Sequence, residues 1–206
     1  MYIPSHFASN DAAMALRLIA DNAFATLVSQ VNGSPYASHL PLLAREEGDR
    51  LILIGHFARA NPHWQHLAHA ELLVIFHGPH GYISPRWYVS RNMVPTWNYA
   101  TVHCHGRMRL LDTPEAARST VHALSARFEA GADQPWQPEQ ALDAAFEARM
   151  LGAIVAFEVE VNRIETKLKF GQNRTPADQQ SMMAALADDP RSADLLAMTR
   201  DVLARP

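Results

Sequence analysis

The octapeptide Lys167-Leu168-Lys169-Phe170-Gly171-Gln172-Asn173-Arg174 holds the only two lysines among the chain's 18 basic residues. Three cations and two side-chain amides in so short a run are the donor set that an anion requires. Ammonium and guanidinium groups make charge-assisted hydrogen bonds, and Gln172 or Asn173 can bond the edge of a polar ring. On a strand Lys167 and Lys169 share one face, with Leu168 and Phe170 on the other. The same residues also fit a plain strand end, with Lys167 in solvent and a helix start capped near Thr175-Pro176.

A second anion signal lies in Gly55-His56-Phe57-Ala58-Arg59-Ala60-Asn61-Pro62-His63-Trp64. The pattern predicts a strand ending at His56 and a short helix capped by Asn61 with Pro62 at its first position. The free N–H groups of such a helix suit a phosphate, and Arg59 and His56 add charge-assisted bonds. A strand-to-helix turn with incidental polar residues is the alternative. Between Tyr82 and Tyr99 lie Trp87, Tyr88 and Trp97, next to glycines and prolines in what reads as a loop. Stiff, half-polar aromatics there can wall a flat ring system or fill a protein interface.

The histidines point elsewhere. His103 and His105 flank Cys104, and His63, His66 and His69 follow one side of the short helix, but no closing ligand set stands at zinc spacing, so no metal is expected. Cys104 lacks the surroundings of a nucleophile. Nucleophile elbows, P-loops and dinucleotide glycine patterns are absent, so no catalytic residue is assigned and any reaction is expected to come with a cofactor.

The elements that must position these groups alternate in period. Apolar residues at helical spacing predict a helix over 11–22; Phe24–Val31 and Tyr36–Arg45 flank Asn32-Gly33, a strong hairpin signal, and Glu46–Asp49 turns the chain into Leu51–His56. Further strands are predicted at 71–78, 100–111 and 153–165. Helices are predicted at 114–130, near 140–150, at 176–187 and at 191–204. Six or so antiparallel strands with inserted helices imply an α+β fold with a nearly closed small barrel. Such a barrel is too narrow for a large cofactor, which places any ligand at its rim or at a subunit interface.

With 206 residues, 48% hydrophobic and 19% charged, the chain has the composition of one globular domain. A net charge of −3 gives no broad electrostatic footprint for nucleic acid. The opening residues lack a signal-peptide pattern, no apolar run is long enough to span a bilayer, and the single cysteine suits a reducing compartment; a cytoplasmic protein with no membrane partner is expected.

Taken in order, "MYIPSHF", "FATLVS", "HLP", "GHFARANPHW", "YISPRWY", "VPTWNYATVHCHGR" and "KFGQNR" resemble the PaiB-like family of FMN-binding proteins. The resemblance implies an antiparallel split β-barrel with peripheral helices over 1–174 and a C-terminal helical extension of the same domain over 175–206. It implies a homodimer with FMN at the subunit interfaces. The implied phosphate contacts are His56, Ala58, Arg59 and Asn61, with Ser38, His39 and Leu40 beside the ribityl chain and ring. Trp87, Thr96, Trp97 and Asn98 of the aromatic segment, with Lys169, Gln172, Asn173 and Arg174, complete the pocket. Gly171 stands where family members often carry serine, which removes a hydroxyl contact. The family's naming as negative transcriptional regulators leaves three roles open: a flavin-dependent oxidoreductase, a flavin-sensing regulator, and a haem-handling relative. Sparse arginines at 191, 200 and 205 give DNA binding little support.

Overall fold

A computed structural model describes residues 1–68 and 70–205; His69, grouped above with His63 and His66, lies outside the described residues. The first half of the chain runs β1 (Ala8–Ser9), α1 (Ala12–Asp21), β2 (Phe24–Val31), β3 (Ser34–Pro41), β4 (Leu43–Glu47), β5 (Arg50–Ala58) and β6 (Glu71–Ile83). Then come β7 (Thr96–Leu111), α2 (Pro114–Glu129), α3 (Pro138–Ala141), α4 (Ala144–Gly152), β8 (Ile154–Lys169), α5 (Pro176–Ala187) and α6 (Ala193–Leu203). The class is α+β, an antiparallel split barrel whose eight-stranded sheet has the order β3-β2-β6-β7-β8-β5-β4, with β1 paired to β8.

Local signals account for much of this. Asn32 and Gly33 both take positive φ, 51° and 78°, the backbone that a tight hairpin between right-twisted strands needs. Asp11 caps α1 by accepting from the Met14 N–H, Thr113 caps α2, and Thr175 caps α5, each of the last two with proline at the first helical position.

The expected strand over 36–45 is two strands. β3 pairs with β2, and after Leu42 the chain leaves that partner and β4 pairs with β5. β3 and β4 are the two ends of the hydrogen-bonding order, yet only Leu42 separates them in the chain. The sheet therefore curls, and Leu42, 1% exposed, anchors the step by donating its N–H to Ala23 O at 2.9 Å. Other expectations shift in the same direction, towards more strand. β6 runs on to Ile83 and β7 begins at Thr96, so Tyr82, Trp97 and Tyr99 stand on strands and not in a loop. β8 continues to Lys169, and the helix near 140–150 is two segments, the second capped by Asp143. The segment Pro62–His66 is a single 3-10 turn.

Contacts divide the chain into two compact units: Met1–Leu18, His77–Val102 and Glu165–Pro206 form one, Ile19–Phe76 and His103–Ile164 the other. α5 and α6 thus belong to the first unit, whose buried residues include Met14, Ile83, Leu168, Phe170 and Met182. The second is built on Leu27, Leu53, Phe57, Phe76 and Phe157, with the rings of Phe57 and Phe157 4.8 Å apart. Cys104 is fully buried and its thiol is pushed up to about 12 by desolvation, which removes it as a nucleophile. No helix among the described residues is long and apolar enough to cross a membrane.

Gly106 on β7 lies so close to β8 that a Cβ there collides with the Glu160 carbonyl oxygen and crowds Val159. Backbone cannot yield as a side chain does, so Gly106→Ala is expected to cost about 1–3 kcal/mol. Urea unfolding should show a lower midpoint at unchanged slope; an unchanged midpoint contradicts the close approach.

Candidate functional site

In the second unit, alternation along β3 buries Ser38 and Leu40 and exposes His39, whose Nδ1 lies 3.1 Å from Thr26 Oγ1. Ser38 Oγ is held twice, 2.8 Å from His63 Nδ1 and 3.1 Å from the Asn61 Nδ2 that donates to it. Asn61 also accepts the His63 N–H through Oδ1, the cap bond expected from sequence. The other His63 nitrogen, Nε2, meets Ser29 Oγ at 2.8 Å, so the fully buried ring is satisfied on both sides. Tyr36 and Phe57 enclose it, with centroids at 4.4 and 5.8 Å. Ser38 and Asn61 are therefore brought together, with His63, one of several polar histidines in the sequence, bonded to both.

At the end of β5 the picture is different. Arg59 donates from Nη1 and Nη2 to the two carboxylate oxygens of Asp112, at 3.2 and 2.6 Å, from Nε to Gly152 O and from Nη2 to Ile154 O. This fork joins β5 to the start of β8 and to the residue before the α2 cap, and most of its donors are used. Nor does the Pro62–His66 turn provide the dipole expected of a helix N-terminus: peptide dipoles sum over aligned turns, and five residues in 3-10 geometry sum few. Ala58 is exposed, whereas His56 is half-buried. Its Nδ1 is the one buried side-chain polar atom without a hydrogen-bond partner among the described residues.

The first unit holds the cations. Lys167 is 7% exposed; its Nζ donates to Tyr2 O at 3.1 Å and lies 5.6 and 5.2 Å from the ring centres of Tyr2 and Tyr99. The alternative that leaves it in solvent is ruled out. Lys169 Nζ donates to Thr96 Oγ1 at 2.6 Å, and desolvation first, then Lys167 and Arg174, holds its pKa below the ordinary lysine value against the pull of Tyr99. Arg174 lies over the Tyr88 ring at 5.1 Å. Gln172 is spent on the backbone, accepting from Phe170 N and donating to Leu168 O, and Asn173 is exposed. Gly171 has φ 85°, a conformation that strains any side chain and favours glycine at this turn.

The other aromatic-segment residues are dispersed. Trp97 is 48% exposed and stacks on His80, with Tyr82, 50% exposed, against its edge, whereas Asn98 is buried with Nδ2 3.6 Å from Met182 Sδ. Trp87 lies in a 3-10 turn. The segment after it is fixed by Asp178, buried at the first turn of α5, whose carboxylate accepts from Val89 N, Ser90 N, Ser90 Oγ and Thr175 Oγ1. The Ser90 backbone N–H, foremost, holds the Asp178 pKa down. Thr175-Pro-Ala-Asp178 has capping-box spacing, a signal that places an acid here but not its distant partners.

Comparisons with known proteins agree with this architecture. The sequence profile described as "Putative FMN-binding domain" matches residues 1–163. "Protease synthase and sporulation protein PAI 2" of Bacillus subtilis is 34% identical over 206 residues, 98% of either chain, and an uncharacterized protein of Emericella nidulans is 25% identical over 89% of either. Among solved structures, a flavocytochrome Anf3 from Azotobacter vinelandii superposes with TM-score 0.63 at 15% identity, covering 82% of this chain and 73% of the other. An FAD and heme binding protein from Mycobacterium smegmatis gives 0.61 at 20% identity, covering 80% and 74%. At these identities the solved structures share the fold.

Burial pushes the pKa values of both His56 and His63 down, with His66 adding to the effect at His63. The unfolded chain therefore takes up these protons first. Stability is complete above about pH 6.5, the ordinary histidine value, and declines as pH falls through it towards the folded values. Thermal melts from pH 7.5 to 5 should show this decline. His56→Phe, which removes a desolvated nitrogen, should be at least as stable at pH 7.5 and lose less on acidification. A variant with the full wild-type acid dependence assigns the effect to other groups.

Proposed function

We propose that this chain, which belongs to the "Putative FMN-binding domain" family, binds FMN and acts as a homodimeric flavin redox protein. The observation that carries this reading is the Lys167, Lys169 and Arg174 cluster: among the described residues none of the three has a carboxylate partner, and they converge on Tyr99, Thr96 and Tyr88. Unneutralised cations held by aromatic rings and one hydroxyl suit a ligand that brings negative charge, as the phosphate of FMN does. Bound FMN supplies electron and hydride transfer. The chain's part is to orient it, with Lys169 and Arg174 as donors to its anionic groups, Trp87 and Trp97 as flat apolar walls, and Ser38, His39, Leu40, His56, Ala58 and Asn61 as the further contacts that the family resemblance implies. Arg59, committed to Asp112 and two carbonyls, shapes the strand end.

The exposed Tyr82, Trp97, Val89 and Val94 of the first unit are the kind of surface that a second copy covers, which supports a dimer. A role in DNA recognition gains nothing from the C-terminal helices, since Arg191 pairs with Asp189 and Arg205 with Asp11 and Asp201.

Release of the bound ligand from native protein should yield FMN by absorbance and mass, and light scattering should give a dimer. Lys169→Met and Arg174→Met should each weaken FMN about ten-fold. Arg59→Ala should lower the melting temperature and affect FMN and riboflavin alike, because riboflavin lacks only the phosphate. Unchanged FMN affinity in both Met variants of properly folded protein would overturn the assignment of the cluster, and a haem spectrum would overturn the cofactor.

A further inference from the structure

We propose that the end of α2 and the segment that follows it form a binding site for a small organic cation, a quaternary or alkylated ammonium compound. His122, Ala126 and Glu129 recur at helical spacing along α2, and Gly131, at φ 96°, lets the chain turn back over them. Glu129 fixes the return, its Oε2 accepting the Trp136 N–H at 3.0 Å. Between helix and returning chain lies a pocket of about 320 Å³, lined by these residues with Pro135, Trp136 and Pro138, a size that suits a small ligand. Its charge is unbalanced. Glu129 has no cationic partner among the described residues, and the Trp136 N–H occupies only one of its two oxygens. His122 does not neutralise it, because its Nε2 is engaged by Glu147 Oε1 at 2.9 Å. Arg127, the basic residue of the last turn, donates to Ala20 O and is not part of the lining. Glu129 also ends a 16-residue helix, and the negative end of a helix disfavours an anion and favours a cation. Trp136, 42% exposed, brings the ring whose face attracts cations most strongly, and its indole has no partner among the described residues. One uncompensated carboxylate beside an indole and two prolines fits a charge wrapped in alkyl groups. A hard metal ion would need several oxygen ligands, which this lining does not offer.

This site uses none of the residues given to the flavin and does not rest on that reading. Calorimetric titration of the full chain with choline chloride should show one choline per chain. Dimethylbutanol, its neutral carbon isostere, should bind far more weakly, and sodium butyrate should be silent. Glu129→Gln keeps an oxygen for the Trp136 N–H while removing the charge, and should weaken choline about ten-fold. Trp136→Ala should abolish binding, and Trp136→Phe, which restores an aromatic face, should recover part of it. FMN affinity should be unchanged in all three variants. The proposal is overturned by absence of choline binding at millimolar concentration, by equal binding of dimethylbutanol or butyrate, or by choline binding that neither Glu129→Gln nor Trp136→Phe weakens. A fall of FMN affinity in step with choline also overturns it, since the pocket then serves the flavin.

Discussion

Leu42 fills the space that a side chain at residue 55 would need: a Cβ on Gly55 collides with Leu42 Cδ2 and presses on Phe157. That insertion is possible because Pro41 has no N–H to offer a ladder and Leu42 turns its own to Ala23, so the chain changes partner in a single residue. The pairing of β4 with β5 starts only at Leu43 with Ile54. From Gly55 to Ala58, β5 keeps β8 on one side while β4 no longer covers the other. Ala58, Arg59 and Ala60 owe their exposure to this early release, and so does the freedom of Asn61 to reach back to Ser38 on β3.

Charge is distributed with a similar division of labour. Several arginines elsewhere meet acids: Arg17 with Asp201, Arg45 and Arg109 with Glu158, Arg107 with Glu71, Arg118 with Glu147. Most are exposed pairs, each weak in water and individually a small contribution to stability. The group on β8 and the turn after it is held differently: its counter-surfaces are Tyr2, Tyr99, Tyr88 and the Thr96 hydroxyl. An aromatic face steadies a cation without cancelling its charge. The positive potential therefore remains available to a ligand.

Features that depend on neighbours in sequence were legible: the Asn32-Gly33 hairpin, the caps at Asn61 and Thr175, and the shared face of Lys167 and Lys169. Features that depend on distant pairing were not. Asp112 lies 53 residues from Arg59, and nothing near either one announces the fork. His63 depends on Ser29 and Ser38, which stand on different strands. The aromatic run from Tyr82 to Tyr99 looked like loop because its prolines, and the glycines just before it, depress strand propensity, yet pairing within the sheet carries β6 and β7 into it. The Pro62–His66 segment had a correct cap and a correct proline but too few residues for a helix dipole, a distinction of length that capping signals do not encode.

The scarcity of lysine now has a physical reading. An arginine at 169 would keep its proton at every accessible pH and would bring a planar fork that Thr96 Oγ1 alone cannot satisfy. A lysine presents a compact ammonium whose three donors rotate, and desolvation lowers the pKa of Lys169 from its ordinary value. The proton on Lys169 Nζ is thus easier to give up than that of any arginine around it, and Lys167 and Arg174 nearby push in the same direction. Where the chain only needs a fixed charge paired with an acid, it uses arginine. Of the three cations that crowd around rings and a hydroxyl, two are lysines, the basic side chain that can both hold an anion and exchange a proton with it.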